Sequence, residues 1–187
     1  KGNYQEIIKL LLNQEGIKIE KDAFKDCSLL TEIEIPSTVS SIGERAFYEC
    51  TSLANVKISS SVISIGKYGF NKCSSLTTIE LPSSLEAIEE GTFRKCASLK
   101  NIIIPSSVTS IGKYAFEECT SLAHIELPSS LKSIEDGTFR KCTSLTNIII
   151  PSSVTSIGKY AFEDCQSITS IELPSSLNAI KESAFKK

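Results

Sequence analysis

The sequence predicts an α/β repeat: a right-handed solenoid whose coils share one parallel β-sheet face and carry short second strands and short helical turns. Three observations support this fold class. The residues IIIPSSVTSIGKYAFE occupy positions 102–117 and recur unchanged at 148–163. Phenylalanine recurs every 23 residues from Phe24 to Phe185, and a cysteine follows three residues after each phenylalanine up to Phe162. A fixed period of this length is typical of solenoids, in which each unit stacks on its neighbours.

The repeat divides the chain into a capping segment and an array of coils. Residues 21–187 are predicted to form about seven to eight coils of 23 residues, with residues 1–20 as an N-terminal capping segment. Within the cap, YQEIIKLLLNQEG has the spacing of an amphipathic helix that starts after Asn3 and stops at Gly16. Its apolar residues also fall on repeat positions, so a degenerate coil is the alternative.

Each coil begins with a strand. The segments TEIEIP, TTIELP and KNIIIP alternate apolar with other residues, which predicts inward-pointing pairs such as Ile33 with Ile35. Proline ends most of these strands because it has no N–H for the ladder, and the Ser-Ser pair that follows is suited to a turn. Next, VTSIG predicts a short second strand. The segment KYAFEEC then predicts a helical turn, because Phe116 and Cys119 are three residues apart.

Neighbouring coils alternate in charge and in bulk, which explains why the longest identical segments are two coils apart. Stacking places equivalent residues about 4.8 Å apart, so alternating signs replace repulsion with attraction of about 0–1 kcal/mol per exposed pair. Tyrosines two residues before Phe alternate with Gly91 and Gly137, which leaves room for each ring. The residues three before each Phe are Lys21, Glu44, Lys67, Glu90, Lys113, Asp136, Lys159 and Glu182.

The seven cysteines allow three interpretations. We expect a buried column of free thiols, because cysteine packs as a small hydrophobic residue and parallel side chains hold the Cβ atoms too far apart for disulfides. Disulfides between neighbouring coils are the first alternative, although an odd number leaves one cysteine unpaired. A metal site is the second, but the sequence has no CxxC or Cys/His cluster with zinc spacing.

The charge balance disfavours two classes of partner. The net charge is −2, so there is no global positive field to attract nucleic acid. No run approaches the ~18 apolar residues of a membrane span, and we expect no membrane insertion of this chain.

The repeat L-x-x-I-x-I/L-P-S-S-V/L-x-x-I-x-x-x-A/T-F-x-x-C resembles the BspA-like, Treponema-type class of leucine-rich repeats over residues 24–185. The resemblance implies a leucine-rich-repeat solenoid that belongs to a cell-surface or secreted protein. It also implies protein binding or adhesion, with a host or matrix protein as the partner. This location rests on the resemblance alone, because the start of the sequence lacks the pattern of a secretory signal.

The sequence offers little catalytic chemistry. His124 and Glu126 are two residues apart on a predicted strand and could act as an acid–base pair, but no recognisable motif places a nucleophile beside them. The familiar nucleotide, hydrolase and metal motifs are absent. We therefore expect no enzyme activity, no cofactor and no metal, and we expect His124 to be one of the polar residues on the open sheet face.

That face is the predicted ligand-binding surface. Ile103 and Ile149 stand outward among acids, so a partner would present basic and apolar groups. Alternatively, the isoleucines only separate like charges by about 10 Å, close to one Debye length. A repeat spacer or engineered, consensus-like scaffold without a ligand also remains possible, because the coils are nearly identical. The predicted ligand residues are Glu34, Lys57, Glu80, Ile103, His124, Glu126, Ile149 and Glu172.

Overall fold

A computed structural model describes residues 2–187 of the chain, which form a parallel β-solenoid. Paired residues in the sheets lie 23 positions apart, as Glu32 does from Asn55 and Ile79 from Ile102. One 23-residue period is therefore one turn of the chain. The main sheet has six parallel strands in this spatial order: β1 (Glu32–Ile35), β3 (Asn55–Ile58), β5 (Thr78–Glu80), β7 (Asn101–Ile103), β9 (His124–Glu126) and β11 (Asn147–Ile148).

The second strands are two residues long and also pair in parallel. They form groups of two, two and three strands, so this side of the solenoid has short ladders rather than one continuous sheet. The isoleucine that ends each of the first six strands is buried in the core, whereas Ile180 in the last strand is exposed. These strands are β2 (Ser41–Ile42), β4 (Ser64–Ile65), β6 (Ala87–Ile88), β8 (Ser110–Ile111), β10 (Ser133–Ile134), β12 (Ser156–Ile157) and β13 (Ala179–Ile180).

A column of phenylalanine rings runs through the core. Successive ring centroids are 5.1–5.9 Å apart and the ring planes lie within 1–15° of parallel, which is an offset stack. Phe93 and Phe116 are in adjoining layers, with centroids 5.6 Å apart. The predicted stacking of residues 23 apart is therefore confirmed.

Serine side chains add a second link between coils. The second serine of each Pro-Ser-Ser turn, and its equivalent Ser61, donates its hydroxyl to a carbonyl of the preceding coil at 2.6–2.8 Å. Thus Ser107 donates to the Leu85 carbonyl and Ser130 to that of Val108. The serine suits the turn and also satisfies a carbonyl that the strand ladder leaves free.

The predicted helical turns around each phenylalanine are not confirmed. These segments are runs of tight turns, in which Tyr48 N–H donates to the Arg45 carbonyl at 3.0 Å. In the seven coils from Phe24 to Phe162 the residues two before and two after Phe have left-handed φ values, as at Arg45 (54°) and Glu49 (59°). Their N–H groups point to the next coil: Arg45 donates to the Lys67 carbonyl and Glu49 to that of Asn71, both at 2.9 Å. This arrangement links coils, which a helical turn would not do.

The alternation of charge and bulk is confirmed. Lysine and acid side chains three residues before Phe pair across adjoining coils. An added Cβ at Gly91 would lie 2.3 Å from the Tyr68 ring, and one at Gly137 equally close to Tyr114. The four ion pairs are Lys21–Glu44 (3.1 Å), Lys67–Glu90 (3.2 Å), Lys113–Asp136 (2.9 Å) and Lys159–Glu182 (3.1 Å).

The N-terminal segment combines a helix with part of a coil. Helix α1 (Gly2–Leu12) starts and ends earlier than the predicted limits at Asn3 and Gly16, and Lys1 lies outside the described residues. Ile8 and Leu12 of the helix are buried, and α1 packs against β1. The Thr38 hydroxyl donates to the Leu12 carbonyl at 3.0 Å, which holds the end of the helix.

The two terminal coils are incomplete. In the first, Ile19 forms a parallel bridge with Ile42, but the strand position is taken by α1. In the last, the strand predicted around Glu172 is not formed, since no strand lies between β12 and β13. Leu173 is exposed there, whereas the matching Ile104 and Ile150 are buried. Six coils therefore contribute to the main sheet, while eight contribute a ring to the phenylalanine column.

Candidate functional site

The outward face of the main sheet carries the predicted ligand residues. Inward residues such as Ile102 and Ile125 fill the core, so the alternating pattern of the strands leaves their neighbours facing solvent. Ile103 is 81% exposed and Ile149 is 82% exposed, the highest values for large hydrophobic residues in the described part of the chain. Two aliphatic side chains therefore stand fully in water on a sheet that is otherwise polar on this face.

Six of the predicted residues lie in one row across adjoining coils, and the last four of them alternate between acidic and apolar. Ile103 pairs in register with Glu80 on one side and with Glu126 on the other. Ile149 directly follows Ile148, which pairs with Ile125, and so extends the row beside Glu126. We call Glu80, Ile103, Glu126 and Ile149 the strip. Its order is acid, apolar, acid, apolar, with one strand spacing between neighbours.

His124 lies beside the strip. Its Nε2 is 3.7 Å from the Glu126 Oε1, and the two side chains are 55% and 87% exposed. The residues in register with His124 are Asn101 and Asn147, which bring amides rather than a nucleophile. The pair therefore has the surroundings of ordinary surface polar groups, as the sequence predicts.

Glu34 and Lys57 continue the row of the strip on the side of Glu80, because Glu34 pairs with Lys57 and Val56 pairs with Ile79. Both also line a groove that sequence analysis did not predict. The groove has a volume of about 200 Å³ and runs between α1 and the first two strands of the main sheet, with Ile8, Leu12 and Ile33 among its lining residues. Glu6, Lys9, Glu32 and Asn55 complete its lining. The amphipathic pattern of the N-terminal segment was the available signal, but it did not show on which side the helix would pack.

Glu172 is separated from the other ligand residues by the missing strand. It is exposed, but it lies in a segment without strand pairing, so it does not continue the ladder of the strip. Its place in the predicted row is therefore wrong, because the register that aligns the other residues ends at β11.

The cysteines are free thiols, and all except the half-buried Cys27 are buried. From Cys50 onward, each Sγ donates to the phenylalanine carbonyl of the preceding coil at 3.0–3.1 Å. Burial raises the pKa of Cys50 and Cys165 to about 12, and that of the four cysteines between them well above the ordinary value. These thiols stay protonated at neutral pH and are poor nucleophiles. Within residues 2–187 no cluster of three or more His, Cys, Asp or Glu side chains could hold a metal.

A ladder of ion pairs lies on the turn segments. Glu117 is 2% exposed and accepts from the Arg94 Nε and, at 3.0 Å, from the Arg140 Nη1. Arg140 also donates its Nε to Glu163, and this hydrogen bond lowers the pKa of Glu163. The Lys186 Nζ is 3.6 Å from Glu163 and extends the ladder. Because its charges are already paired with each other, this surface has fewer charges available to a ligand than the open sheet face has.

The family model for the BspA type leucine rich repeat region matches residues 17–142 and 86–187, with six copies of the repeat. The chain belongs to the BspA-type leucine-rich repeat family. Its match covers the main sheet, the phenylalanine column and the strip. No curated protein matches the sequence.

Three solved structures resemble this BspA-type chain. A Treponema pallidum leucine-rich repeat protein is 33% identical, with a TM-score of 0.76 over 81% of this chain and 71% of that one. A Bacteroides ovatus leucine-rich repeat protein is 32% identical, with a TM-score of 0.61 over 78% and 46%. A leucine-rich cell surface protein from Faecalibacterium prausnitzii is 28% identical, with a TM-score of 0.58 over 89% and 60%. The chain therefore spans less than two thirds of the second and third proteins.

The BspA-type family is often found at the cell surface, and one of these relatives is described as a cell surface protein. Within the described residues, α1 is too short to cross a bilayer, and the structure has no other helix that could do so. Family membership thus accounts for the repeat fold, while the case for a particular ligand depends on this chain's own strip.

Proposed function

We propose that this chain is a non-enzymatic protein-binding or adhesion module of a cell-surface or secreted protein, and that it engages a protein ligand through the open face of the main sheet. The ligand is a host or matrix protein that presents basic and apolar groups. The observation that carries the proposal is the exposure of Ile103 and Ile149, at 81% and 82%, in a row with two carboxylates.

The exposed isoleucines favour a ligand over mere separation of charges. A neutral polar residue would separate Glu80 from Glu126 equally well without exposing a large apolar side chain. The neighbouring row of the same strands has such residues, including Thr78 and Asn101. Threonine is also as suitable as isoleucine for a strand, so strand propensity does not require isoleucine at these positions. Covering each isoleucine with a partner would contribute about 1.5–3 kcal/mol.

The charge of the face indicates what the ligand carries. Glu34, Glu80 and Glu126 are exposed on the strands, and Lys57 is the one lysine among the predicted ligand residues. Among the described residues, neither Glu80 nor Glu126 forms an ion pair with Lys or Arg, so both carboxylates are available to a basic partner. A partner with the opposite charge gains both specificity and association rate from this arrangement.

The test is binding of the purified chain to a panel of extracellular-matrix and host cell-surface proteins. We expect the double variant Ile103→Ser/Ile149→Ser to lose binding. The matched control is Ile63→Ser, since Ile63 is 60% exposed but lies outside the main sheet. Equal loss in the control, or unchanged binding in the double variant, would refute the role of the strip. A chain that binds no member of the panel would behave as a spacer, the function that the near-identical coils at 102–117 and 148–163 favour.

A further inference from the structure

We propose that the ligand presents an α-helix that lies along the solenoid axis over the strip, with basic and apolar residues alternating on its contacting face. This inference rests on the proposed function, because it specifies the shape and charge of the ligand for the same surface. It depends on the order and spacing of Glu80, Ile103, Glu126 and Ile149, whereas the proposed function depends only on their exposure.

The order of the strip excludes a ligand with separate basic and apolar halves. Glu80 and Ile103 pair in register, Ile103 and Glu126 pair in register, and Ile149 follows on the next coil. A partner that matches all four must change from basic to apolar at each coil. Its contacting residues therefore have to recur at the spacing of the coils.

That spacing fits a helix better than an extended chain. Strands of a sheet lie about 4.8 Å apart, so the three steps from Glu80 to Ile149 cover about 14 Å. Helix residues three or four apart lie on one face and rise about 4.5 or 6.0 Å, so residues i and i+10 are about 15 Å apart. In an extended chain, residues on one face recur about every 6.7 Å, and three such steps cover about 20 Å. A helix thus stays in phase with the strip, whereas an extended chain loses phase after one coil.

The sides of the strip are compatible with this occupant. Asn101, His124 and Asn147 form a polar row along one side, aligned by the same register. Pro105 and Pro151 lie on the other side and carry no charge. The carboxylates of Glu80 and Glu126 select the charge along the strip, with Lys57 one strand beyond Glu80, and the basic residues of the helix fall opposite the two carboxylates.

The probe for this inference is an end-capped, alanine-rich peptide of about 20 residues, long enough to be helical in water. Arginine and leucine alternate on its contacting face at i, i+3, i+7 and i+10. A matched peptide has the same composition, but its face reads arginine, arginine, leucine, leucine. A third peptide has the first sequence with a central proline, which breaks the helix.

We expect the alternating peptide to bind the chain at least about tenfold more tightly than either control peptide. The reordered face loses one ionic and one apolar contact, and the proline peptide loses the helix that aligns all four. The variant Ile103→Ser/Ile149→Ser should lose about tenfold in affinity for it, while Ile63→Ser should not change it. Fluorescence anisotropy of the labelled peptides measures all three affinities.

Equal binding of the reordered peptide would overturn the alternation, and equal binding of the proline peptide would overturn the helix. Failure of every peptide, together with panel binding that still depends on Ile103 and Ile149, would overturn this inference and leave the proposed function standing. If binding to the protein panel is unchanged in the Ile103→Ser/Ile149→Ser variant, the proposed function is overturned instead.

Discussion

The alternation of tyrosine and glycine predicts a measurable coupling between Tyr68 and Gly91. Gly91 has a φ of +60°, and a Cβ placed there would lie 2.3 Å from two carbons of the Tyr68 ring. Gly91→Ala therefore introduces backbone strain of about 1–2 kcal/mol and overpacking of about 1–3 kcal/mol. The total loss of unfolding free energy should be about 2–5 kcal/mol.

In a Tyr68→Ala background only the backbone strain remains, so Gly91→Ala should then cost about 1–2 kcal/mol. Urea unfolding of the four proteins of the cycle, followed by circular dichroism, gives a coupling energy that we expect to be about 1–3 kcal/mol. Gly16→Ala is the matched control, since Gly16 has a φ of +75° but no atom within 4 Å of its added Cβ. A coupling energy under about 0.5 kcal/mol would refute the stacking of the ring on the glycine.

Three further predictions concern the core and the turn segments. Glu117→Gln should lower the unfolding free energy by about 2 kcal/mol, because it removes the buried charge that both Arg94 and Arg140 contact. An unchanged urea midpoint would contradict this. The pKa of Glu163 is lowered in the folded chain, so its contribution to stability is complete above the ordinary value of 4.5 and is lost as the pH falls through the lower folded value. Glu163→Gln should therefore reduce the loss of melting temperature below pH 4.5. An identical dependence of melting temperature on pH in the variant would count against the ion pair. The six buried cysteines should react with a thiol reagent only on unfolding, so rapid titration of several thiols in the folded chain would show that they are not buried.

The periodic parts of the fold could be predicted from sequence because stacking brings each residue into contact with the equivalent residues of the neighbouring coils. The spacing of Phe and Cys predicted the core columns. The sign changes from Lys113 to Asp136 and from Lys159 to Glu182 predicted their ion pairs. In each case the sequence repeats the constraint once per coil, so the pattern is visible without knowledge of the tertiary structure.

The turn segments were harder to predict. A three-residue spacing suits both a helical turn and the observed run of tight turns. Left-handed backbone usually reveals itself through glycine, but here it falls on residues such as Arg45, Lys95 and Glu118. Their conformation is held by hydrogen bonds to the next coil, as from the Lys95 N–H to the Glu117 carbonyl at 2.7 Å. That partner belongs to another repeat, so no local signal predicts it.

The ends of the array were predicted least well, since each end residue has a neighbour on one side only. The groove beside Glu34 and Lys57 depends on where α1 packs, which its own amphipathic pattern does not specify. Glu172 has the right sequence position for the strip but no strand to hold it. The central residues Ile103 and Glu126 could be placed because both neighbouring coils fix their register.

The most direct test of the account is the distance between positions 103 and 149, since the strip exists only if the coils between them stack in register. Nitroxide labels on Ile103→Cys and Ile149→Cys, in a Cys27→Ser background that leaves only buried native thiols, report this distance through dipolar broadening. The account predicts strong broadening from labels about 10 Å apart, two strand spacings, and weaker broadening for labels at positions 80 and 149, about 14 Å apart. Spectra without dipolar broadening for the 103/149 pair would contradict the register from which the strip and its ligand were inferred.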